Sequence, residues 1–119
     1  MKILIVDDSA FAQKSVLRLL KVYLKEVEFY TATSGKEALE IYKEQNPDFS
    51  FIDLLMPEMS GQELIANIKK INKDSKIFVM SADVQKSVKE EVKSLGVISF
   101  INKPFNKEKA MEVCEFIKG

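Results

Sequence analysis

The sequence predicts an α/β domain built on a doubly wound, five-stranded parallel sheet. Three observations lead there. Five short apolar segments recur along the chain, and five segments of helical period alternate with them. Several of the apolar segments are continuous, not alternating, as expected of strands covered by helices on both faces. At 119 residues the chain has the length of one domain, spanning 1–119.

The elements follow in order. A first strand, Ile3–Val6, stops at Asp7. The helix Ser9–Lys25 places Val16, Leu20, Tyr23 and Leu24 on one side. A second strand, Glu28–Ala32, leads into Thr33 and Ser34, which suit a turn and a cap. Ser34-Gly35-Lys36-Glu37 is a capping box, in which hydroxyl and glutamate satisfy orphan amides reciprocally. It opens the helix Gly35–Gln45, whose apolar residues are Ala38, Leu39, Ile41 and Tyr42. The third strand, Phe49–Asp53, is followed by a second capping box, Ser60-Gly61-Gln62-Glu63, and the helix Gly61–Ile71 with Leu64, Ile65 and Ile68 inward. The fourth strand, Lys76–Met80, runs into Ser81. The helix Val84–Leu95 follows, with Asp83 as its expected N-cap and Val88, Val92 and Leu95 inward. The fifth strand, Ile98–Ile101, is followed by Asn102, Lys103 and Pro104. The helix Phe105–Lys118, with Met111, Val113, Cys114 and Ile117 inward, comes last. Right-handed crossovers are expected throughout.

Composition narrows the function. Apolar residues at 46% and charged residues at 30% supply a core and argue against disorder. Eighteen basic and eighteen acidic residues give zero net charge, which disfavours a basic nucleic-acid module. No apolar run approaches the ~18 residues of a spanning helix, and the first apolar stretch is too short for a signal peptide. A cytoplasmic protein without membrane insertion is expected. The single cysteine, Cys114, excludes an internal disulfide and is expected in the core. The absence of histidine removes Ser-His-Asp and Cys-His catalysis, His-ligated zinc and any phosphohistidine on this chain.

Ligands of open α/β sheets bind outside the carboxyl ends of the strands. The polar residues there are Asp7 and Asp8, Asp53, Ser81, and then Asn102, Lys103 and Pro104. Three carboxylates, a hydroxyl and an ammonium thus converge on one sheet edge. Two like charges ~4 Å apart cost about 4 kcal/mol at an effective dielectric of ~20, so a divalent cation or a raised pKa must relieve them. Oxygen-only donors favour Mg²⁺ or Mn²⁺ over zinc. Lysine and hydroxyl suit a phosphoryl group, and a carboxylate can be its acceptor. Each residue alone also has a structural role open to it. Asp7, Asp8 and Ser9 suit a helix start, Asp53 a turn, Ser81 a cap, Lys103 plain surface and Pro104 an ordinary turn. Their convergence on one edge is what favours chemistry.

These residues carry a family resemblance. The run Ile3-Leu4-Ile5-Val6-Asp7-Asp8-Ser9, the loop Asp53-Leu54-Leu55-Met56-Pro57-Glu58-Met59-Ser60-Gly61, the pair Ser81-Ala82 and Lys103-Pro104-Phe105 stand in order over five βα units. The whole chain resembles the receiver domain of two-component response regulators, in particular the single-domain chemotaxis type. The resemblance implies a flavodoxin-like strand order, 2-1-3-4-5. It implies Asp53 as phosphoacceptor and Mg²⁺ held by Asp8, Asp53 and the Leu55 carbonyl, with Asp7 acting through a metal-bound water. It implies that Lys103 contacts a phosphoryl oxygen across a cis bond to Pro104. Ser81 would turn its hydroxyl toward the phosphoryl group, and small Ala82 leaves a path for the donor. Phe100 matches the switch aromatic but lacks a phenolic hydroxyl, so it makes no output contact that needs one. Leu55 and Asp83 occupy the positions that tune phosphoryl lifetime, and they push in opposite directions.

The implied function is a phosphorylation-driven switch, not a turnover enzyme. The partners are a histidine kinase or phosphotransfer protein upstream and an effector protein downstream, the latter bound by the fourth helix, fifth strand and fifth helix. The charges on that face, among them Lys86, Lys89, Glu90, Lys107 and Lys109, are mixed and equally suit a solvated surface. A monomer is expected. The start Asp8-Ser9-Ala10-Phe11 resembles chemotaxis receivers more than transcriptional ones. A receiver excised from a longer protein and a phosphorelay intermediate are the alternatives. Three other classes fit less well. An aspartyl phosphatase commonly has a second Asp where Leu55 stands, and a larger cap. A flavodoxin-like electron carrier needs a phosphate loop where Asp7-Asp8-Ser9 places carboxylates. A pseudo-receiver that only binds partners does not need the full acidic, hydroxyl and lysine set.

Overall fold

A computed structural model describes residues 1–82 and 85–119. Asp83, expected as a cap and a lifetime-tuning residue, and Val84, expected to open the fourth helix, lie outside the described residues. The elements are β1 (Lys2–Val6), α1 (Ala10–Tyr23), β2 (Glu28–Ala32), α2 (Gly35–Gln45), β3 (Phe49–Asp53), α3 (Gly61–Ile71), β4 (Ile77–Ser81), α4 (Lys86–Ser94), β5 (Ser99–Asn102) and α5 (Lys107–Lys118). The sheet is wholly parallel, in the order β2-β1-β3-β4-β5. The α/β class and the strand order both agree with expectation.

The continuous apolar runs explain themselves once the faces are assigned. Successive strand residues point to opposite sides, so each run feeds two cores. Ile3, Ile5, Phe51, Phe78, Met80 and Ile101 face the layer of α1 and α5. Leu4, Val6, Ile52, Ile77 and Val79 face α2, α3 and α4. Stacking of Phe51 on Phe78, with centroids 4.9 Å apart, adds to the area buried on the first side.

Several boundaries move, each for a local reason. The fourth and fifth strands sit one residue later than expected, because Ser81 pairs with Asn102 in the ladder. The last helix opens at Lys107, not Phe105. Asn106 caps it by accepting from the Lys109 amide at 2.9 Å, while Phe105 packs edge-on against Phe51. Met111, expected inward, is exposed; the buried stripe is Ala110, Val113, Cys114 and Ile117. The N-cap of α4 is Gln85, which makes no side-chain capping bond. In the α2 capping box Ser34 accepts from the Glu37 amide, but Glu37 reaches back to the amide of Thr33 and not to that of Ser34. Asn46 ends α2 in the left-handed conformation, which asparagine tolerates, and Pro47 follows.

Gly61 fixes how the phosphoacceptor-candidate strand meets α3. A Cβ there would lie 2.6 Å from the Asp53 carbonyl oxygen and 2.6 Å from the Leu54 Cα, both backbone atoms that cannot swing away. Gly61→Ala is therefore expected to cost about 1–3 kcal/mol, read as a lower urea midpoint at unchanged slope. A midpoint equal to that of the wild-type protein would show that the helix start shifts freely.

Candidate functional site

The strand order reverses between β1 and β3, which leave for opposite halves of the sheet. The crevice at their carboxyl ends is where an open α/β sheet takes a ligand. Asp7 and Asp8 follow β1 directly and Asp53 is the last residue of β3, so main-chain register aims all three at this crevice. One carboxylate oxygen of each lies within 4.8 Å of the others. Asp7 and Asp53 are buried, and Asp8 is exposed at the rim.

Lys103 arrives from the end of β5. Its amide donates to the Ser81 carbonyl at 2.9 Å, and its ammonium reaches Asp7 Oδ2 at 2.9 Å and Asp53 Oδ1 at 3.3 Å. The other Asp7 oxygen accepts from the Ser9 amide at 2.9 Å. Asp7 is thus a fixed buried anion, clamped between a helix start and a lysine.

The electrostatics follow from this packing. Burial pushes the Asp53 carboxyl above its usual range, and the charge of Asp7 pushes it further. Lys103 and the Leu55 backbone pull it only partway back. For Lys103 burial favours the neutral amine, but the bond to Asp7 and the charges of Asp53 and Asp7 together outweigh it, and its pKa rises. Three carboxylates against one ammonium leave a formal charge of minus two. An all-oxygen cluster with that charge fits a hard divalent cation.

The other expected residues distribute around this centre. Ser81 is fully buried at the end of β4, next to exposed Ala82. The Lys103–Pro104 bond is cis. The Leu55 side chain points to solvent. Phe100 stands away from the carboxylates, half-buried toward α4, with the Lys89 ammonium 5.5 Å from its ring centroid. Beside the acidic cluster a cleft of about 360 Å³ opens between Phe11, Ala12, Met80, Ala82, Pro104 and Phe105. A larger groove of about 470 Å³ runs along β5 and α5. Among the described residues no cluster of carboxylates converges on it, so the chemistry belongs to the smaller cleft.

Sequence reasoning missed Gln13. It is buried, and its Nε2 donates to the Asp7 carbonyl at 2.8 Å and the Ala32 carbonyl at 2.6 Å. It ties the carboxyl ends of β1 and β2 together beneath the acidic pair. The signal was available: Gln13 precedes Val16 and Leu20 on the apolar stripe of α1, where a polar residue calls for buried partners. Gln13→Ala should cost about 1–3 kcal/mol of stability. Gln13→Glu should cost more, since it sets a carboxylate against two carbonyl oxygens. Urea midpoints for the pair check both the sign and the order.

A parallel 2-1-3-4-5 sheet with an acidic triad and a lysine over its switch point defines a class: small α/β proteins that place carboxylates, not a glycine-rich loop, where a phosphate chemistry would sit. The sequence matches the response regulator receiver domain over residues 3–115. It is 40% identical over 111 residues to the chemotaxis protein CheY of Thermotoga maritima, covering 93% of this chain and 92% of that one. To the chemotaxis protein CheY of Bacillus subtilis it is 37% identical, with 93% and 92% covered. A crystal structure of a CheX-CheY-BeF₃-Mg²⁺ complex from Borrelia burgdorferi contains a chain that superposes with a TM-score of 0.90 at 27% identity, over 100% of this chain and 90% of that one. This chain belongs to the response regulator receiver domain family of two-component signalling. Members of that family are signalling phosphoacceptors with an acidic Mg²⁺ pocket, not enzymes that turn over a separate substrate. No helix among the described residues is long and apolar enough to cross a membrane.

Proposed function

We propose that residues 1–119 act as one receiver domain, a phosphorylation-driven switch whose acceptor is Asp53. The observation that carries this reading is the buried Asp53 carboxylate, paired with Lys103 and set within 4.8 Å of two further carboxylates. The donor is the phosphohistidine of a partner histidine kinase or phosphotransfer protein. An Asp53 oxygen forms a new bond to phosphorus as the phosphorus–nitrogen bond breaks, and the imidazole leaves with its electron pair. Lys103 offsets charge on the phosphoryl oxygens. Asp8, Asp53 and the Leu55 carbonyl would hold Mg²⁺, or Mn²⁺ in its place, with Asp7 contributing its negative charge beside them. When bound, such an ion would supply positive charge that draws the acceptor and the phosphoryl oxygens together. Ser81 offers its hydroxyl to the transferred group, and the small Ala82 keeps the approach open.

Output follows from a shift between two conformations, biased by contacts only the phosphoryl group makes. Phe100 and the surface of α4, β5 and α5 bind the effector protein. The similarity to chemotaxis proteins over nearly the whole of both chains supports a cytoplasmic chemotaxis regulator. The complex with BeF₃ and Mg²⁺ described for the Borrelia neighbour supports the same chemistry here.

Intact mass after incubation with acetyl phosphate tests the reading. One phosphoryl adduct is expected with Mg²⁺ and none in excess chelator. Mg²⁺ alone should raise the melting temperature, by a stabilisation of about 2.7 kcal/mol when the ion stands at a hundred times its dissociation constant. An unshifted melting temperature at high Mg²⁺, together with no adduct, would leave only a binding module.

A further inference from the structure

Lys109 lies in the first turn of α5, and its backbone is fixed there by the Asn106 cap. Its ammonium donates to the backbone carbonyl of Asn102 and, at 3.1 Å, to that of Pro104. These two carbonyls flank Lys103. Among the described residues no carboxylate pairs with Lys109, so the two carbonyls are the partners of its charge. The main chain that carries Lys103 is thereby held on one side by the Ser81 carbonyl and on the other by Lys109.

We propose that Lys109 is a positioning residue for Lys103, tethering the loop between β5 and α5 so that the Lys103 ammonium stays between Asp7 and Asp53. The proposal deepens the phosphoacceptor reading and rests on it for its kinetic consequence. The reason is geometric. Lys103 bridges two oxygens at 2.9 and 3.3 Å, so a small drift of its backbone lengthens both contacts. Charge-assisted bonds from an ammonium to two carbonyls resist that drift better than the exposed loop does by itself. The groups on this path are all carried by the chain itself, and no ion is needed to hold it.

Adduct formation from acetyl phosphate and Mg²⁺, followed by intact mass, compares wild type with Lys109→Met and Lys109→Arg. Methionine keeps the stem and removes the donors; arginine keeps donors and charge. The Lys103 ammonium resonance in a ¹H–¹⁵N correlation spectrum is recorded on the same three proteins. Lys109→Met should slow adduct formation by roughly threefold to tenfold, with Lys109→Arg largely restored. The Lys103 resonance should move in the methionine variant only. Wild-type rates with an unmoved resonance in Lys109→Met overturn the proposal. So does equal slowing by both variants, since donors and charge would then restore nothing, and so does slowing without movement of the Lys103 signal. If wild type itself forms no adduct, the phosphoacceptor reading fails, and the Lys103 resonance alone then decides whether Lys109 positions it.

Discussion

Asp53→Asn is expected to abolish the phosphoryl adduct and, without a divalent cation, to yield a more stable protein at neutral pH. The first half follows from removing the oxygen proposed as acceptor. The second follows from the environment of the carboxylate. Its pKa is raised by burial first and by the Asp7 charge second, with Lys103 offsetting only part. A carboxyl raised in the folded state contributes stability that is fully present below its unfolded value, near ~4, and is lost as pH rises through the folded value. Wild type loses that contribution progressively as pH rises above the unfolded value, and the asparagine variant never carries the charge. The stability gap should therefore be small at about pH 4 and widen as pH rises toward about 7. Urea midpoints at the two pH values check it. Mg²⁺ should narrow or reverse the gap, because it stabilises the wild-type cluster more than one with a carboxylate removed. A variant less stable than wild type at neutral pH in chelator would mean that the Lys103 contact outweighs burial.

The second large effect is expected of Lys103→Met. Asp7 is 1% exposed, and one of its oxygens has Lys103 as its cation. Removing one partner of a buried pair costs about 3–5 kcal/mol. The Lys103 side chain is 27% exposed, so water offsets part of the loss and about 1–3 kcal/mol is expected. Transfer to Asp53 should slow by about 10²–10³-fold, the usual cost of losing one preorganised partner of the developing charge. The pH behaviour separates this variant from the first. The Lys103 pKa is raised, so its contribution is fully present below the unfolded lysine value and fades only as pH climbs through the folded one. The deficit of Lys103→Met should show no fall toward about pH 9, because the lysine itself keeps its charge there. Lys103→Arg keeps the charge but not the compact ammonium, and should recover stability better than rate. A rate for Lys103→Met within threefold of wild type would remove Lys103 from the chemistry.

Much of the fold and of the acidic pocket was legible in the sequence. Asp7 and Asp8 follow an apolar run directly, and Asp53 ends another, so the point where each continuous run stops suffices to place them at strand ends. Cys114 belongs to a stripe with Ala110, Val113 and Ile117, which helical spacing recognises. The misses share a cause. Met111 sits one position off that stripe, and Phe105 was drawn into a helix because apolarity does not distinguish a helical start from a residue packed under a loop. Gln13 was passed over because its partners, the carbonyls of Asp7 and Ala32, belong to two different strand ends.

The sequence by itself determined the parallel α/β class, the five strands and five helices, and the set of polar residues that a parallel sheet delivers to one edge. These depend on spacings of two to four residues, which a single chain displays directly. Only the tertiary structure decided which of those residues touch. The pairing of Lys103 with Asp7 joins positions 96 residues apart. The same holds for the raised pKa of Asp53, the buried tie made by Gln13 and the hold of Lys109 on the loop carrying Lys103. Contacts of this kind depend on strand order and on the direction each side chain takes once both faces of the sheet are filled, and neither is written in local spacing.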